Sequence, residues 1–133
     1  MELMLQPYAK YADFSGRARR SEYWSFVLLQ WIVGTVAMIL MSVLHGLGVF
    51  VSVILGGALV LFSLYSLVPS LAVLARRLHD TDRSAAWIFI AFVPFIGGVV
   101  LLIFSLLDGV EGDNRYGPDP KGRTARSYVS APV

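Results

Sequence analysis

Six arginines in two short clusters are the residues of this chain best suited to bind a ligand, because a guanidinium group can bind phosphate through two parallel hydrogen bonds. One cluster precedes the first long apolar stretch, and the other follows the second. If both lie at one membrane face, they could gather anionic phospholipid or bind a partner protein. A simpler interpretation is that they only fix the orientation of the chain. The six candidates are Arg17, Arg19, Arg20, Arg76, Arg77 and Arg83.

The second cluster also holds a histidine and two carboxylates, the side chains that bind metals or transfer protons. They are His79, Asp80 and Asp82, and a membrane-surface enzyme built on them is one hypothesis. This pattern is a weak metal signature, and the neighbouring arginines offset the negative charge that a cation requires. If a helix continues through this loop, Arg76 pairs with Asp80 and His79 with Arg83, one turn apart. We therefore predict that the protein is not an enzyme and has no metal, cofactor or catalytic residue.

The composition places these residues beside a membrane. Of the 133 residues 56% are hydrophobic and 15% are charged, whereas a soluble domain is about 25% charged. No charged residue lies between Glu22 and Arg76 or between Arg83 and Asp108. This pattern excludes a soluble enzyme and a nucleic-acid-binding module with a basic stripe, so we expect no nucleic-acid partner. Without any cysteine, the chain can have neither disulfides nor thiolate chemistry.

Three apolar segments must position these clusters. A helix of about 20 residues spans hydrocarbon about 30 Å thick. We predict an all-α integral membrane protein, a small helical bundle of three hydrophobic segments with a short N-terminal interfacial helix. The predicted bounds are 1–22 for a cytoplasmic interfacial arm, 23–107 for a membrane domain with spans 23–44, 49–74 and 87–107, and 108–133 for a polar tail rich in Gly and Pro.

The third segment is interrupted by turn-forming residues, Pro94 to Gly98, near its middle. A kinked crossing would place the basic residues of the tail outside the cell. A re-entrant hairpin would keep all eleven basic residues inside, but each half would have only about ten residues, and hydrocarbon does not tolerate exposed irregular backbone. We favour the kinked crossing, and the re-entrant hairpin stays the alternative.

The distribution of Lys and Arg predicts the orientation. The arm and the second loop are basic, whereas the first loop, His45–Gly48, contains neither residue type. Basic loops stay in the cytoplasm. We therefore expect a cytoplasmic N-terminus, a multi-pass chain and an outward-facing first loop.

Small and polar residues mark the helix faces where spans are expected to pack, since small side chains let backbones approach closely. Gln30 carries the one amide in the spans, and an unpaired amide in lipid is costly. Counting along antiparallel spans makes Ser66 or Ser70 its expected partner, and contact with a substrate or ion is the alternative. The expected packing residues are Gln30, Gly34, Ser52, Gly56, Ser63, Ser66 and Ser70.

Four motifs in order resemble a known family. They are the stretches Phe14–Trp24, Arg76–Ser84, Pro94–Gly97 and Asn114–Pro120. Over about residues 8–122 the chain is similar to the domain-of-unknown-function 805 family, the YhaH/YhaI-like bacterial inner-membrane proteins, with Ala86 at a position where a further Trp is common. The resemblance implies a bacterial cytoplasmic membrane location. It implies no activity, cofactor or catalytic residue.

Three function hypotheses follow. The leading one is a non-enzymatic membrane module that packs with itself or with a larger membrane protein and presents the arginine-rich cytoplasmic edge to anionic lipid or to a partner. The alternative is a subunit of a small oligomeric transporter or channel, with a wet vestibule around Gln30. The third is the membrane-surface enzyme described above.

Overall fold

A computed structural model describes residues 2–123, and the regular elements of this part of the chain are helical. The α-helices are α1 (Glu2–Ala9), α2 (Arg20–Leu44), α3 (Val49–Asp80) and α4 (Ile96–Leu106). Two 3₁₀ helices connect them: His45–Leu47 between α2 and α3, and Ala85–Phe92 between α3 and α4. The predicted all-α class is confirmed.

Two helical segments, Arg20–Leu47 and Val49–Asp80, are long and apolar enough to cross a membrane. The core helices of a soluble protein would bury their apolar side chains, but only 0% and 6% of the most apolar 18-residue stretch of each segment is buried. Gly48 joins α2 to α3 at a φ of +116°, which a residue with a side chain rarely adopts. The two helices therefore form an antiparallel pair with an apolar outer surface.

The far half of α3 is covered by other parts of the chain. From Ser66 onward most of its residues are buried or half-buried, and the helix continues to Asp80, past the predicted end of the second span at residue 74. At about 1.5 Å per residue, its 32 residues exceed the thickness of the hydrocarbon. The N-terminal helix α1 packs against both α2 and α3, where Tyr8 contacts Phe26 edge to face.

The third apolar segment doubles back, which differs from the kinked crossing that we favoured. The 3₁₀ helix Ala85–Phe92 and α4 lie antiparallel, with Ile90 beside Gly97 and Trp87 beside Phe104. The chain reverses at Pro94 and Phe95, and Phe95 has a φ of +64°. Gly97 allows the close approach, because a Cβ there would overlap the backbone of Ile90. We call residues 85–106 the hairpin.

Both ends of the hairpin lie at the end of α3. The Arg83 guanidinium lies 4.2 Å from the ring centre of Phe104, and the backbone N–H of Val110 donates to the carbonyl of Asp80 at 2.9 Å. Residues 108–123 therefore return to the edge of the molecule that carries the arm and the loop after α3. We call this edge the polar cap (residues 13–22, 76–83 and 108–123).

Candidate functional site

Arg17 holds the tail of the chain against the end of α3. It is only 7% exposed, because the residues that it binds enclose its side chain. Nε donates to Asp80 Oδ1 at 3.0 Å. Nη1 donates to the Gly112 carbonyl at 2.6 Å, and Nη2 donates to the Val110 carbonyl at 2.5 Å. One side chain thus joins three parts of the polar cap that are far apart in sequence.

Asp80 lies at the centre of this cluster. Its side chain is 1% exposed and pairs with Arg17 at 2.9 Å and with Arg77 at 2.5 Å. Arg77, which is fully buried, also donates to the backbone carbonyls of Ser105 and Leu107. Asp80 and Arg77 therefore fasten both the arm and the end of the hairpin to α3.

Arg76 pairs with Glu22 instead of Asp80, so the expected one-turn pairing of Arg76 with Asp80 is wrong. Arg76 Nη1 donates to Glu22 Oε1 at 2.7 Å, and both side chains are buried. Asp80 is instead engaged by Arg77 and by Arg17 of the arm, while Glu22 of α2 lies within reach of Arg76. Nε and Nη2 of Arg76 are buried without a hydrogen-bond partner among residues 2–123.

His79 serves as a packing residue of the polar cap. Its ring stacks on Tyr116, with centroids 3.9 Å apart and planes 5° apart. Nδ1 is 3.1 Å from the Gly16 carbonyl, and the Asn114 amide donates to the His79 carbonyl at 2.9 Å. This ring position brings together three of the motifs that carry the family resemblance. It also differs from the expected pairing of His79 with Arg83.

The three candidates for metal binding or enzyme chemistry do not converge. Asp80 is engaged by two arginines, and Asp82 pairs at the surface with Arg115 at 3.2 Å. Within residues 2–123 no group of three metal-ligating side chains occurs. The arrangement uses these residues to hold the fold together.

Asp119 organises the tail. Its carboxylate accepts hydrogen bonds from the backbone N–H groups of Gly112 and Lys121 at 3.2 and 2.9 Å, and from Arg123 Nε at 2.8 Å. Burial alone would raise the pKa of Asp119, but the Arg123 guanidinium and the two backbone donors hold this pKa at about 2. The folded tail therefore stabilises the ionised carboxylate.

This shift predicts a pH dependence of tail order. Folding lowers the pKa of Asp119 from 3.8 to about 2, so the carboxylate stabilises the folded tail above pH 3.8, and this stabilisation is lost as the pH falls towards 2. Asp119→Asn should accelerate hydrogen–deuterium exchange of tail amides at about pH 6, and it should have little effect near pH 2. Glu111→Gln, an exposed acid in the same tail, is the matched control. Equal exchange in both variants at the higher pH would contradict the role of Asp119.

The six arginines therefore divide into two groups by their burial. Arg17, Arg76 and Arg77 are buried and paired within the chain. The physical reason is that Glu22, Asp80 and Asp119 supply an equal number of buried carboxylates. The other three arginines are more accessible to solvent. Arg19 and Arg20 are exposed, and Arg83 is half-buried against Phe104.

Gln30 finds its partner in the N-terminal helix. Its Nε2 donates to the Tyr8 hydroxyl at 2.8 Å, and that hydroxyl is 2.7 Å from Ser66 Oγ. The expected direct bond to Ser66 or Ser70 is thus replaced by a bond through Tyr8, while Ser70 Oγ donates to the Ser66 carbonyl. Counting residues along the two antiparallel spans correctly placed Gln30 opposite the Ser66 turn of α3. It could not show that Tyr8 of α1 lies between them.

The other small residues have different positions. Gly56 lies where α3 meets Met41 of α2, whose methyl carbon would be 3.8 Å from a Cβ. Ser52 Oγ donates to the Gly48 carbonyl at the start of α3. Gly34 and Ser63 are exposed and line a groove of about 460 Å³ that also borders Gln30. The predicted packing face is therefore only partly used within this chain.

Sequence reasoning missed several residues that complete the polar cap. Glu22 pairs with Arg76. Gly109 lies so close to the network that a Cβ there would overlap the Asp80 carboxylate. The one available sequence signal was Glu22, a single acidic residue shortly after three arginines. A lone carboxylate in such a basic stretch suggests an ion pair. The pairing of Asp119 with the rest of the cap has no local signal.

Comparisons with known proteins agree with a membrane location. The family model described as "Protein of unknown function (DUF805)" matches residues 11–118. The inner membrane protein YhaI of Escherichia coli K12 is 46% identical over 121 residues, which cover 91% of this chain and 97% of YhaI. The inner membrane protein YhaH of the same strain is 40% identical over 124 residues, covering 91% and 98%. No solved structure shows a significant match.

Proposed function

The chain belongs to the DUF805 family, and we propose that it is a non-enzymatic interaction module of the bacterial inner membrane that contacts anionic lipid headgroups. The observation that carries the proposal is the position of Arg19 and Arg20. Both arginines are exposed where α2 begins, and Arg19 Nε also donates to the Pro120 carbonyl at 2.5 Å.

The apolar belt beside these arginines supports a lipid environment. Several large apolar side chains along α2 and α3 are at least 69% exposed, a surface that water would disfavour and hydrocarbon would accept. Examples are Trp31, Met38, Val43, Phe50, Ile54 and Leu61. The belt ends near Arg20 on α2, so the exposed guanidinium groups are expected at headgroup level.

The return of the hairpin supports a cytoplasmic position for the polar cap. With the tail on the same edge as the arm, the basic residues of the tail no longer oppose the charge rule that predicts orientation. The opposite end, His45–Gly48, still has neither Lys nor Arg. The N-terminus and the tail are therefore both assigned to the cytoplasm in this proposal.

The internal pairing of Arg17, Arg76, Arg77 and Asp80 supports a structural role for the most distinctive motif residues. Chemistry at these side chains would require them to leave their buried partners, which is costly. Likewise, the Gln30 amide donates to Tyr8. This bond supports a role for Gln30 in helix packing rather than in a transport vestibule. The exposed Gly34 and Ser63 leave a face on which a second copy or a larger membrane protein could pack.

The test compares lipid retention in charge-neutralised variants. Each arginine near an anionic leaflet contributes about 1 kcal/mol, or about fivefold in affinity. Arg19→Gln/Arg20→Gln should therefore lower the ratio of phosphatidylglycerol to phosphatidylcholine that co-purifies from mixed nanodiscs, read by native mass spectrometry. The expected decrease is roughly 5- to 30-fold.

A variant with the same charge change provides the control. Arg115→Gln/Lys121→Gln neutralises two exposed cations of the tail, and it should leave the ratio of the two lipids nearly unchanged. Thermal unfolding in detergent would check that both variants are folded. Equal ratios in the wild type and the Arg19/Arg20 variant would overturn the headgroup contact.

A further inference from the structure

The tip of the hairpin is the most exposed apolar feature among the residues that the structure describes. Phe95 is 95% exposed and Phe92 is 82% exposed. Val93 and Ile96 between and beside them are exposed as well. Within residues 2–123 no other segment covers this tip.

Both legs of the hairpin are anchored to one edge of the molecule. Trp24 Nε1 donates to the Ser105 carbonyl at 3.3 Å, and Arg77 Nε donates to the same carbonyl at 3.2 Å. Arg83, which immediately precedes the other leg, lies over the Phe104 ring of α4. From this position its charged end can reach headgroups. The tip therefore projects away from the polar cap while both ends stay beside it.

The length of the legs matches half of a bilayer. The eight-residue 3₁₀ helix is about 16 Å long at about 2.0 Å per residue. The eleven residues of α4 extend about 16 Å at about 1.5 Å per residue. The hydrocarbon core is about 30 Å thick, and no charged residue occurs between Arg83 and Asp108.

The backbone of the tip satisfies most of its donors internally, which answers the objection that hydrocarbon excludes irregular backbone. The N–H of Val93 donates to the Ile90 carbonyl at 2.9 Å, and the N–H of Gly97 donates to the Val93 carbonyl at 3.0 Å. The N–H of Ile96 donates to the Pro94 carbonyl at 2.7 Å. Pro94 itself has no N–H to satisfy.

From these observations we propose that the hairpin is a wedge that inserts among the acyl chains of one leaflet only, the leaflet next to the polar cap, and that its tip ends near the bilayer midplane. The occupant of the exposed apolar surface is then lipid hydrocarbon, continuous with the lipid around α2 and α3. This proposal does not depend on the headgroup contact of Arg19 and Arg20.

Single-cysteine labelling can test the wedge directly, because the chain contains no native cysteine. Four exposed positions report the side: Ser15 in the arm, Gly46 in the first turn, Ser84 before the hairpin and Glu111 after it. An impermeant maleimide would be applied to spheroplasts and to inverted membrane vesicles. Ser84→Cys and Glu111→Cys should react from the same side as Ser15→Cys, and Gly46→Cys should react from the opposite side.

The depth of the tip requires a second readout. Phe95→Cys, with Val93→Cys as an independent variant, should resist the impermeant reagent from both sides. After labelling with a permeant fluorophore, the tip should be quenched more by lipids with a nitroxide deep in the acyl chain than by lipids with a shallow nitroxide.

Three outcomes would overturn the wedge. Reaction of Glu111→Cys from the side of Gly46 would mean that the third segment crosses the membrane. Reaction of Phe95→Cys from the cap side, or stronger quenching by the shallow nitroxide, would place the tip at the surface. Protection without quenching by either lipid would indicate that another protein covers the tip.

Discussion

Replacing Asp80 by alanine is expected to destabilise the protein far more than replacing Asp82 by alanine. Asp80 is buried between Arg17 and Arg77, so its removal leaves Arg77 without its counter-charge and Arg17 with only Asp119 at 4.0 Å. Breaking a buried ion pair by removing one partner costs about 3–5 kcal/mol. The measurement is the free energy of unfolding in detergent, and the tail should also become more sensitive to trypsin.

Asp82→Ala is the control, because it removes the same side chain two residues away; the φ of +57° at Asp82 adds about 1 kcal/mol of backbone strain for alanine. The Asp82 side chain is 48% exposed and its partner Arg115 is 62% exposed. An exposed pair contributes about 0–1 kcal/mol. If Asp80→Ala does not fold at all, Asp80→Asn keeps the shape and removes only the charge. Equal losses of stability in the Asp80 and Asp82 variants would contradict the central role of the buried network.

Gly97→Ala should disrupt the hairpin, whereas Gly98→Ala should be tolerated. A Cβ at Gly97 would overlap the carbonyl of Ile90 and the Cα of Ala91, so the two legs would have to separate. Backbone cannot yield as a flexible side chain can, and overpacking typically costs about 1–3 kcal/mol or more. No heavy atom lies within 4 Å of a Cβ at Gly98, and alanine there should add up to about 1 kcal/mol of helix propensity.

The two variants add the same methyl group at adjacent positions. The difference between their stabilities therefore reports how closely the two legs of the hairpin pack at Gly97. Thermal unfolding in detergent gives the overall effect. The emission of Trp87, which contacts Phe104 across the legs, gives the local one. A Gly97→Ala protein with wild-type stability and emission would mean that the legs do not pack at this distance.

Several features followed from the sequence alone because they depend on hydropathy, charge and motifs within short stretches of the chain. Long uncharged stretches predicted an all-α membrane protein, and Pro94 with Gly97 and Gly98 marked the break in the third segment. The resemblance of four motifs indicated the family, which the comparisons show. None of these features depends on which distant residues meet.

The use of the arginines was decided only by the tertiary structure. Local spacing suggested that Arg76 pairs with Asp80, and that six arginines face lipid. Two of the observed pairs join residues far apart in the chain, Arg17 with Asp80 and Glu22 with Arg76, whereas Arg77 pairs with Asp80 inside α3. Whether a guanidinium group faces water or a buried carboxylate depends on which distant segments of the chain fold over it. The local sequence around an arginine does not contain this information.

The path of the third segment was left open by the sequence for the same reason. A proline–glycine break is compatible with a kink or with a reversal, since both remove the same helical hydrogen bonds. The structure selects the reversal through contacts at both ends, where Arg77 binds Ser105 and Leu107 and where Gly97 admits the backbone of Ile90. Hydropathy and charge thus determined that this chain belongs in a membrane, while long-range pairing of buried charges decided where its tail lies.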